Sequence, residues 1–389
     1  MKEYKEIFAV DIEIPDIVSQ KMEEAFDKIN KERTSSINNI IGINDRRSKR
    51  IRLFKNQVAA IVCICILMLG SVTAYAACNY FWSRGMKGTL QATDIQQQKL
   101  VEEGVATMLQ DAEEYASMSV TDGGITVTPE MVVVNEKMVY LSLSVEGCEL
   151  QEGKDPCFEF VDVYLGDNPK AEEGWFNMEA SFYDGIVSGE DGASVYEDGT
   201  PLITDGNGSI VSHYTDASGK MDYVIVAMVS DPDKSLLGEI LHVELSNLGT
   251  GDKTDFTGAV EGKWSFKFTL SDVSLTEEVQ IGEVVEGTAF VLDSMEISPV
   301  SIKLNYDVNG KATMYEDING VPGFCGIVLK DGTRLPYLKN GGMSGYTDDT
   351  SSKAFEISAF ERVIEPNQVS AILLRTEDGA EMVEIGLGR

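Results

Sequence analysis

The chain has 389 residues, with 64 acidic residues against 32 Lys and Arg, so its formal net charge is −32. This excess of acid argues against nucleic-acid binding, which depends on Lys and Arg that neutralise phosphates. The charge is unevenly placed, because residues 1–57 carry 12 basic and 10 acidic residues, whereas residues 58–78 carry none. The length predicts two or three domains of roughly 150 residues each.

The uncharged run Val58–Cys78 predicts a transmembrane helix. As a helix it would span about 31 Å, close to the hydrocarbon thickness of a bilayer. Ala74-Tyr75-Ala76 resembles a signal-peptide cleavage site, but 57 residues precede the apolar run, so we expect a retained helix. The aromatic residues expected at its outer interface are Tyr75, Tyr80, Phe81 and Trp82.

The orientation of this span follows from the Lys and Arg residues around it. Six cations lie at 46–55, just before the run, and only Arg84 and Lys87 follow it within twenty residues. The flank that is richer in cations stays in the cytoplasm. The sequence therefore predicts a single-pass protein of the cell membrane, with a cytoplasmic N-terminus and extracellular C-terminal domains.

The N-terminal segment, residues 1–57, combines an amphipathic pattern with a basic linker. Pro15 suits the first turn of a helix, and apolar residues then recur every three or four positions. Such a short helix needs a surface that covers its apolar stripe. A cytoplasmic partner, the membrane surface and the chain's own tail are alternatives. The residues predicted to bind a partner are Ile14, Val18, Met22, Phe26 and Ile29.

An extracellular stalk is predicted at residues 79–116. Within it, TDIQQQKLVEEG predicts a short helix, with Thr93 or Asp94 as its N-cap and Gly104 as its stop. This helix would lift the following domains away from the membrane.

From Gly124 onward the apolar pattern has a period of two residues, which indicates β-strands. Short strands separated by Gly and Asp predict two antiparallel, immunoglobulin-like sandwiches, at residues 117–280 and 281–389. The predicted fold class is therefore mainly β, with a short cytoplasmic helix, one transmembrane helix and two extracellular β-sandwich domains.

Three local patterns specify parts of these sandwiches. Asn135-Glu136-Lys137 predicts a tight connection between two strands, and Asp331-Gly332 is a strong hairpin signal. One strand should place Val139, Leu141, Leu143 and Val145 on one face and Tyr140, Ser142 and Ser144 on the other. Another should place Trp264, Phe266 and Phe268 on one face.

Cys148 and Cys157 flank a short loop and are candidates for a disulfide bond. Paired strands could bring their Cα atoms within the ~4.4–6.8 Å that a bridge needs. The sequence does not decide the pairing, so two thiols stay the alternative. No spacing of the CxxC type is present, and we expect no structural zinc.

The sequence offers little for catalysis. His213 and His242 are the only histidines, and neither lies in a pattern that suggests a nucleophile–base pair. Asp205–Ser209 resembles the start of a calcium loop but lacks the required Gly and the distal Glu. We expect no enzyme activity, no catalytic residue, no metal and no cofactor, with a loop-bound cation near Asp205 as an alternative.

Several segments together carry a resemblance to a known family. They are IPDIVSQKMEEAFDKI, the basic run with its span, GITVTPEMVVVNEKMVYLSLSVEG, GKWSFKFTLS, ISPVSIKLNY, LKDGTRLP and FERVIEPNQVSAILL. Their order resembles Gram-positive single-pass membrane proteins with an extracellular domain of unknown function, often described as anti-sigma factors. Zinc-type anti-sigma factors carry a cytoplasmic His and paired Cys, whereas residues 1–57 contain neither.

The resemblance implies a signalling function. It suggests that the N-terminal helix holds a cytoplasmic sigma factor or another regulator, while the outer domains sense an unknown envelope ligand. The alternative function is a cell-surface binding or adhesion module that has no signalling role.

Overall fold

The computed structural model describes the chain from residue 82 onward, with gaps. The described residues are 82–109, 118–148, 154–166, 176–189, 191–229, 231–251, 256–308, 320–347, 352–376 and 382–388. All of them belong to the compact unit Ile61–Arg389, and the unit Met1–Ala60 lies outside them.

Two short helices and twenty strands form this part of the chain. The helices are α1 (Arg84–Thr89) and α2 (Asp94–Glu102). The strands of the first half are β1 (Ala106–Met108), β2 (Val120–Asp122), β3 (Ile125–Val134), β4 (Met138–Glu146), β5 (Pro156–Leu165), β6 (Phe176–Phe182), β7 (Ile186–Ser188), β8 (Ser194–Tyr196), β9 (Met221–Val229), β10 (Ile240–Thr250) and β11 (Thr257–Thr269). Those of the second half are β12 (Glu277–Val284), β13 (Phe290–Ile297), β14 (Ser301–Val308), β15 (Gly323–Leu329), β16 (Arg334–Leu335), β17 (Lys339–Tyr346), β18 (Lys353–Phe360), β19 (Val369–Arg375) and β20 (Val383–Gly386).

These strands form two sandwiches and one separate hairpin. The first sandwich stacks a six-stranded sheet, in the order β1-β3-β4-β9-β6 with β2 beside β3, on the three-stranded sheet β11-β10-β5. The second stacks β12-β13-β14-β18-β17 on β16-β15-β19-β20. Strands β7 and β8 pair only with each other, and every strand pair is antiparallel.

The predicted alternation in β4 and β11 is confirmed, and it builds the core of the first sandwich. Val139, Leu141, Leu143 and Val145 face Trp264, Phe266 and Phe268 across the sandwich, and all seven are buried. The indole Nε1 of Trp264 donates a hydrogen bond to the Ile125 carbonyl at 3.1 Å, so its one polar atom is satisfied.

The second face of β4 is also buried, because a third apolar layer separates the two sandwiches. The first sandwich contributes Met131, Val133, Met138, Tyr140 and Met228, and the second contributes Val300, Phe355, Ile357, Ala359 and Val363. Helices α1 and α2 and their flanking residues add Trp82, Met86, Leu90, Leu100, Val105 and Ala106. The β3-β4-β9 and β14-β18 portions of the two large sheets are therefore covered on both faces.

Polar contacts fix the register of this layer. The Tyr140 hydroxyl contacts the carbonyl oxygens of Val300 at 3.0 Å and Phe360 at 3.1 Å. The Asn135 amide donates to the hydroxyl of Ser298 at 2.6 Å and also to that of Ser301. Directional bonds of this kind select one packing from the many that apolar contact alone allows.

The predicted turns and caps are confirmed. Asn135 begins the three-residue connection from β3 to β4, and its side chain accepts hydrogen bonds from the Lys137 and Met138 amides. Thr93 caps α2 in a capping box with Gln96, and Gly104 follows the helix at φ 78°. Gly332, at φ 87°, turns the chain from β15 into β16.

The predicted fold class needs a correction. It combined the sandwiches with a transmembrane helix at Val58–Cys78 and a cytoplasmic helix over Ile14–Ile29, and both segments lie outside the described residues. Within the described residues, the helices have 6 and 9 residues, and none is long and apolar enough to cross a membrane. The fold class that the structure supports is mainly β, with several antiparallel sheets and two short helices.

The described part of the predicted stalk is packed rather than extended away from the sandwiches. We call residues 82–109 the arm. Its side chains Trp82, Met86 and Leu90 are at most 2% exposed, because they fill the layer between the sandwiches. A Trp predicted at a membrane interface thus lies in a protein core. The second sandwich begins with β12, at Glu277, four residues before the predicted boundary at 281.

We expect Tyr140→Phe to lower the free energy of unfolding by about 1–2 kcal/mol, because it removes a buried hydroxyl that bonds across the sandwiches. Tyr164→Phe is the matched control, since its hydroxyl bonds to Glu244 in an exposed position and should change stability by less than about 0.5 kcal/mol. Denaturant unfolding of the full chain measures both values. Equal values for the two variants would show that the Tyr140 contacts do not hold the sandwiches together.

Candidate functional site

A cleft opens where the arm, the first sandwich and the second sandwich meet. It consists of two adjoining cavities of about 840 and 270 Å³, which share Ser188 and Glu361. The volume of the larger cavity lies within the range of small-molecule sites in proteins. Its walls are Ser188, Gly192, Val321, Gly323, Phe324, Cys325, Pro336, Tyr337, Lys339, Gly341, Glu361, Arg375 and Thr376.

The arm forms one wall of the cleft and is bonded to the second sandwich. The Gln91 amide donates to the Glu361 carbonyl at 2.7 Å, and the Val363 amide donates to the Gln91 carbonyl at 2.7 Å. The Gln91 side chain donates to the Ser188 carbonyl at 2.8 Å, so one residue of the arm bonds both to the second sandwich and to the β7–β8 hairpin. The side-chain amide of Asn340, which also lines the smaller cavity, donates to the Thr89 carbonyl of the arm at 3.1 Å.

Arg84 ties the arm to the segment around the β7–β8 hairpin. Its Nε lies 2.8 Å from a carboxylate oxygen of Glu197, and its terminal nitrogens donate to the His213 and Tyr214 carbonyls. The guanidinium also lies 4.9 Å from the centre of the Tyr183 ring. Arg84 therefore holds the segment that follows the hairpin, in addition to the bond between Gln91 and Ser188 within it.

The tip of this hairpin contacts the second sandwich at one aromatic residue. A Cβ at Gly192 would lie 2.7 Å from the Tyr337 ring, and Gly192 has φ 78°. Only glycine fits this close approach without strain. Tyr337 is nevertheless 49% exposed, so much of its ring faces the cleft or solvent.

A buried carboxylate lies behind the Lys339 wall of the cleft. Glu356 is 1% exposed and accepts hydrogen bonds from the Phe324 amide at 2.6 Å, the Lys339 ammonium at 2.7 Å and the Ser358 hydroxyl at 2.9 Å. Three donors and one opposite charge compensate for the loss of water around the carboxylate. Glu356 thereby links the two sheets of the second sandwich and fixes the position of Lys339.

Burial changes the acidity of two further groups in the cleft. Burial raises the pKa of the Glu361 carboxyl, although Ser188 and the Arg362 guanidinium, 3.5 Å away, act in the opposite direction. Burial also raises the pKa of the Cys325 thiol, which donates to the Gly323 carbonyl at 3.7 Å. The thiol is therefore protonated at neutral pH and is a poor nucleophile.

A second buried carboxylate lies directly beneath α1. Asp222 is 1% exposed, and burial, followed by the charge of Glu130, raises its pKa to about 6. Lys220 lies 2.6 Å from Glu130 and, with Arg84 and the Gly85 amide, favours the ionised form. A Cβ at Gly85 would lie 2.6 Å from the Cβ of Asp222, so a larger residue at this position would clash with the Asp222 side chain.

Both histidines are stacked on tyrosine rings. The His213 ring lies 4.4 Å from that of Tyr196, and the His242 ring lies 4.7 Å from that of Tyr164. Within the described ranges, no group of three His, Cys, Asp or Glu side chains could hold a metal ion, and Asp205 instead accepts hydrogen bonds from the Asn207 and Ser209 amides of its own turn.

The structure does not test the site residues predicted from sequence. Ile14, Val18, Met22, Phe26 and Ile29 lie outside the described residues. Cys148 and Cys157 are half-buried at the first sandwich, and neither lines the cleft. Their disulfide stays a prediction.

Sequence reasoning missed the residues that line the cleft, although the buried carboxylate behind them could have been found from the sequence. Glu356 interrupts the apolar strand KAFEISAF, and a carboxylate in such a strand indicates a buried partner. Tyr337, Glu361 and Arg375 come from separate loops and strands, and no local pattern brings them together.

Comparisons with known proteins leave the family open. No family model matches the chain, and no curated protein does. A crystal structure of a conserved domain protein from Bacillus anthracis is similar over 71% of this chain and 87% of that chain, with 14% sequence identity and a TM-score of 0.40. A likeness this distant carries no argument about function.

We expect Asp222→Asn to stabilise the protein near pH 7 by up to about 3 kcal/mol, because it removes a buried charge that the fold disfavours. The raised pKa means that the folded state holds an extra proton between about pH 4 and 6, so this penalty grows as pH rises through that window. Urea unfolding of both proteins from pH 4 to 7 measures the difference.

Glu130→Gln is the companion variant, because it removes the neighbouring negative charge and should move the transition to lower pH. A difference between Asp222→Asn and the unmodified chain that stays constant from pH 4 to 7 would contradict the assignment to Asp222.

We expect Glu356→Ala to cost about 3 kcal/mol of stability, because it leaves the buried Phe324 amide and the Ser358 hydroxyl without their acceptor. Asp307→Ala is the control, since its ion pair with Lys353 is exposed and should contribute less than about 1 kcal/mol. Chemical denaturation of the full chain measures both losses. A loss for Glu356→Ala no larger than that for Asp307→Ala would contradict its structural role.

Proposed function

We propose that this chain is a regulatory binding protein. The two sandwiches recognise a ligand in the cleft, and the arm relays occupancy to the N-terminal segment. That segment in turn holds a sigma factor or another cytoplasmic regulator through Ile14, Val18, Met22, Phe26 and Ile29. The cellular location predicted from the sequence remains a prediction.

The observation that carries this proposal is the double role of the arm. Residues Gly88, Thr89 and Gln91 line the smaller cavity, and Gln91 bonds to both Ser188 and the 361–363 backbone. Backward along the chain, residues 58–81 connect the arm to the segment predicted to bind a partner. A ligand that changes the spacing of the cleft walls therefore acts on the arm directly, through bonds rather than through a flexible tether.

Two further observations favour binding over catalysis. The Cys325 thiol is kept protonated by burial, and it is already used as a hydrogen-bond donor. Each imidazole in the described residues lies flat on a tyrosine ring, and neither lines the cleft. Among the described residues, the walls of the cleft thus carry no imidazole and a single protonated thiol, so the Cys–His pair that one form of covalent catalysis uses does not form there.

A comparison of N-terminal variants in cells separates regulation from simple surface binding. Replacing Val18, Met22 and Phe26 by Ser removes the predicted apolar stripe, so we expect the transcript profile to change as it does when the chain is deleted. Replacing Gln20, Asp27 and Lys31 by Ser alters the opposite face of the predicted helix without changing net charge, and should leave the profile unchanged.

A second pair of variants tests the relay. Gln91→Ala combined with Asn340→Ala removes two bonds between the arm and the cleft walls, so the same transcripts should change while the protein level does not. Gln98→Ala, whose side chain bonds to Glu102 on the exposed side of α2, is the control. Wild-type profiles for both the apolar triple variant and the cleft double variant would instead support a binding or adhesion module without signalling.

A further inference from the structure

We propose that the larger cavity binds an oxyanion, the carboxylate or phosphate group of a small ligand, at Arg375. This inference rests on the proposed function for the idea that the cleft is a ligand site. It adds the chemical class of the ligand and the residue that recognises it.

Arg375 is the one arginine in the described part of the chain that has no acidic partner. Arg84 pairs with Glu197, Arg334 with Glu384 and Arg362 with Glu361. Arg375 lines the cavity at the end of β19, and its Nε is buried without a hydrogen-bond partner.

An unpaired arginine is costly in this setting. A guanidinium cannot lose its proton, and a donor that is shielded from water loses free energy unless it finds an acceptor. The chain has 64 acidic residues, yet among the residues that the structure describes Arg375 forms no ion pair, and its Nε has no hydrogen-bond partner. The Arg375 side chain is half-buried, and its Nε is closed off from solvent, so a ligand oxyanion in the cavity would accept charge-assisted hydrogen bonds from the terminal nitrogens of the guanidinium.

The positive charge of Arg375 is not balanced by the charged groups around it. Lys339, on the same cavity wall, is neutralised by Glu356 at 2.7 Å. The Cys325 thiol nearby is uncharged, because burial raises its pKa. The Glu361 carboxylate in the cavity wall lies 3.5 Å from Arg362. The charge on Arg375 is therefore uncompensated, and the site suits a single anionic group.

The rest of the cleft sets the orientation of the ligand. Glu361 lines both cavities, but the smaller one adds Glu179 and has no Lys or Arg among its lining residues, whereas the larger one adds Lys339 and Arg375. An anionic group is therefore favoured in the larger cavity. Tyr337 offers a half-exposed ring at the larger cavity, against which a flat or apolar part of the ligand can pack. The ligand thus directs its anionic end to Arg375 and its uncharged part toward Tyr337.

The Nε–H group of Arg375 can be observed directly by NMR in the full chain labelled with ¹⁵N-arginine. Its signal is the one that disappears in Arg375→Lys. We expect sodium acetate or sodium phosphate, added at constant ionic strength, to shift this signal saturably while the other arginine signals stay in place. The anion that saturates at the lower concentration identifies the group as carboxylate or phosphate. Sodium chloride, as the reference salt, should give no saturable shift.

Two variants make the test specific. Arg375→Lys keeps the charge but loses the planar fork, so we expect anion affinity, measured by calorimetry, to fall by about tenfold or more. Arg334→Lys changes an exposed arginine that pairs with Glu384 and should keep full affinity. Equal shifts of all arginine signals, an unsaturable shift like that of chloride, or unchanged affinity in Arg375→Lys would overturn the inference.

Failure of this inference is distinct from failure of the proposed function. If acetate and phosphate do not bind but the N-terminal and arm variants change transcription, the regulatory function stands without an anion site. If the anions bind at Arg375 but those variants behave as wild type, the site stands and the regulatory function falls.

Discussion

The apolar layer between the two sandwiches determines where the rest of the described chain lies. The central strands β4 and β18 carry apolar side chains on both faces, so each needs a cover on the face that its own sandwich leaves open. The two large sheets cover one another, and the arm fills the remaining space with Trp82, Met86 and Leu90. A fully buried side chain of this size contributes about 1.5–3 kcal/mol, so the arm is a substantial part of the layer.

The cleft lies where the arm leaves this apolar layer. The arm leaves the layer at Leu90, bonds to the 361–363 backbone and meets the β7–β8 hairpin at Ser188. Three separate parts of the chain therefore converge around one opening. The buried Glu356 fixes Lys339 at the edge of this opening, whereas Arg375 has no acidic partner among the residues that the structure describes. The apolar layer positions the walls of the cleft, and the Arg375 guanidinium is the cation that we propose to bind an anion there.

The sequence allowed local structure to be predicted well, because alternation, turns and caps depend on neighbouring residues. The faces of β4 and β11, the Asn135 connection and the capping box at Thr93 follow from such rules. The packing of Trp82 could not be predicted, for the opposite reason. Trp82 has the same local pattern at a membrane interface and in a core, and only packing against distant strands decides between them. Arg375 and Tyr337 both line the larger cavity for equally non-local reasons.

Hydrogen exchange of the full chain tests most directly whether the arm is an integral part of the double sandwich. The amides of Gln91 and Val363 form the bridge between the arm and the second sandwich, and Leu141 lies in the centre of β4. The account predicts that the bridge amides exchange as slowly as the Leu141 amide, through global unfolding. Fast exchange of Gln91 and Val363, while Leu141 stays protected, would contradict it.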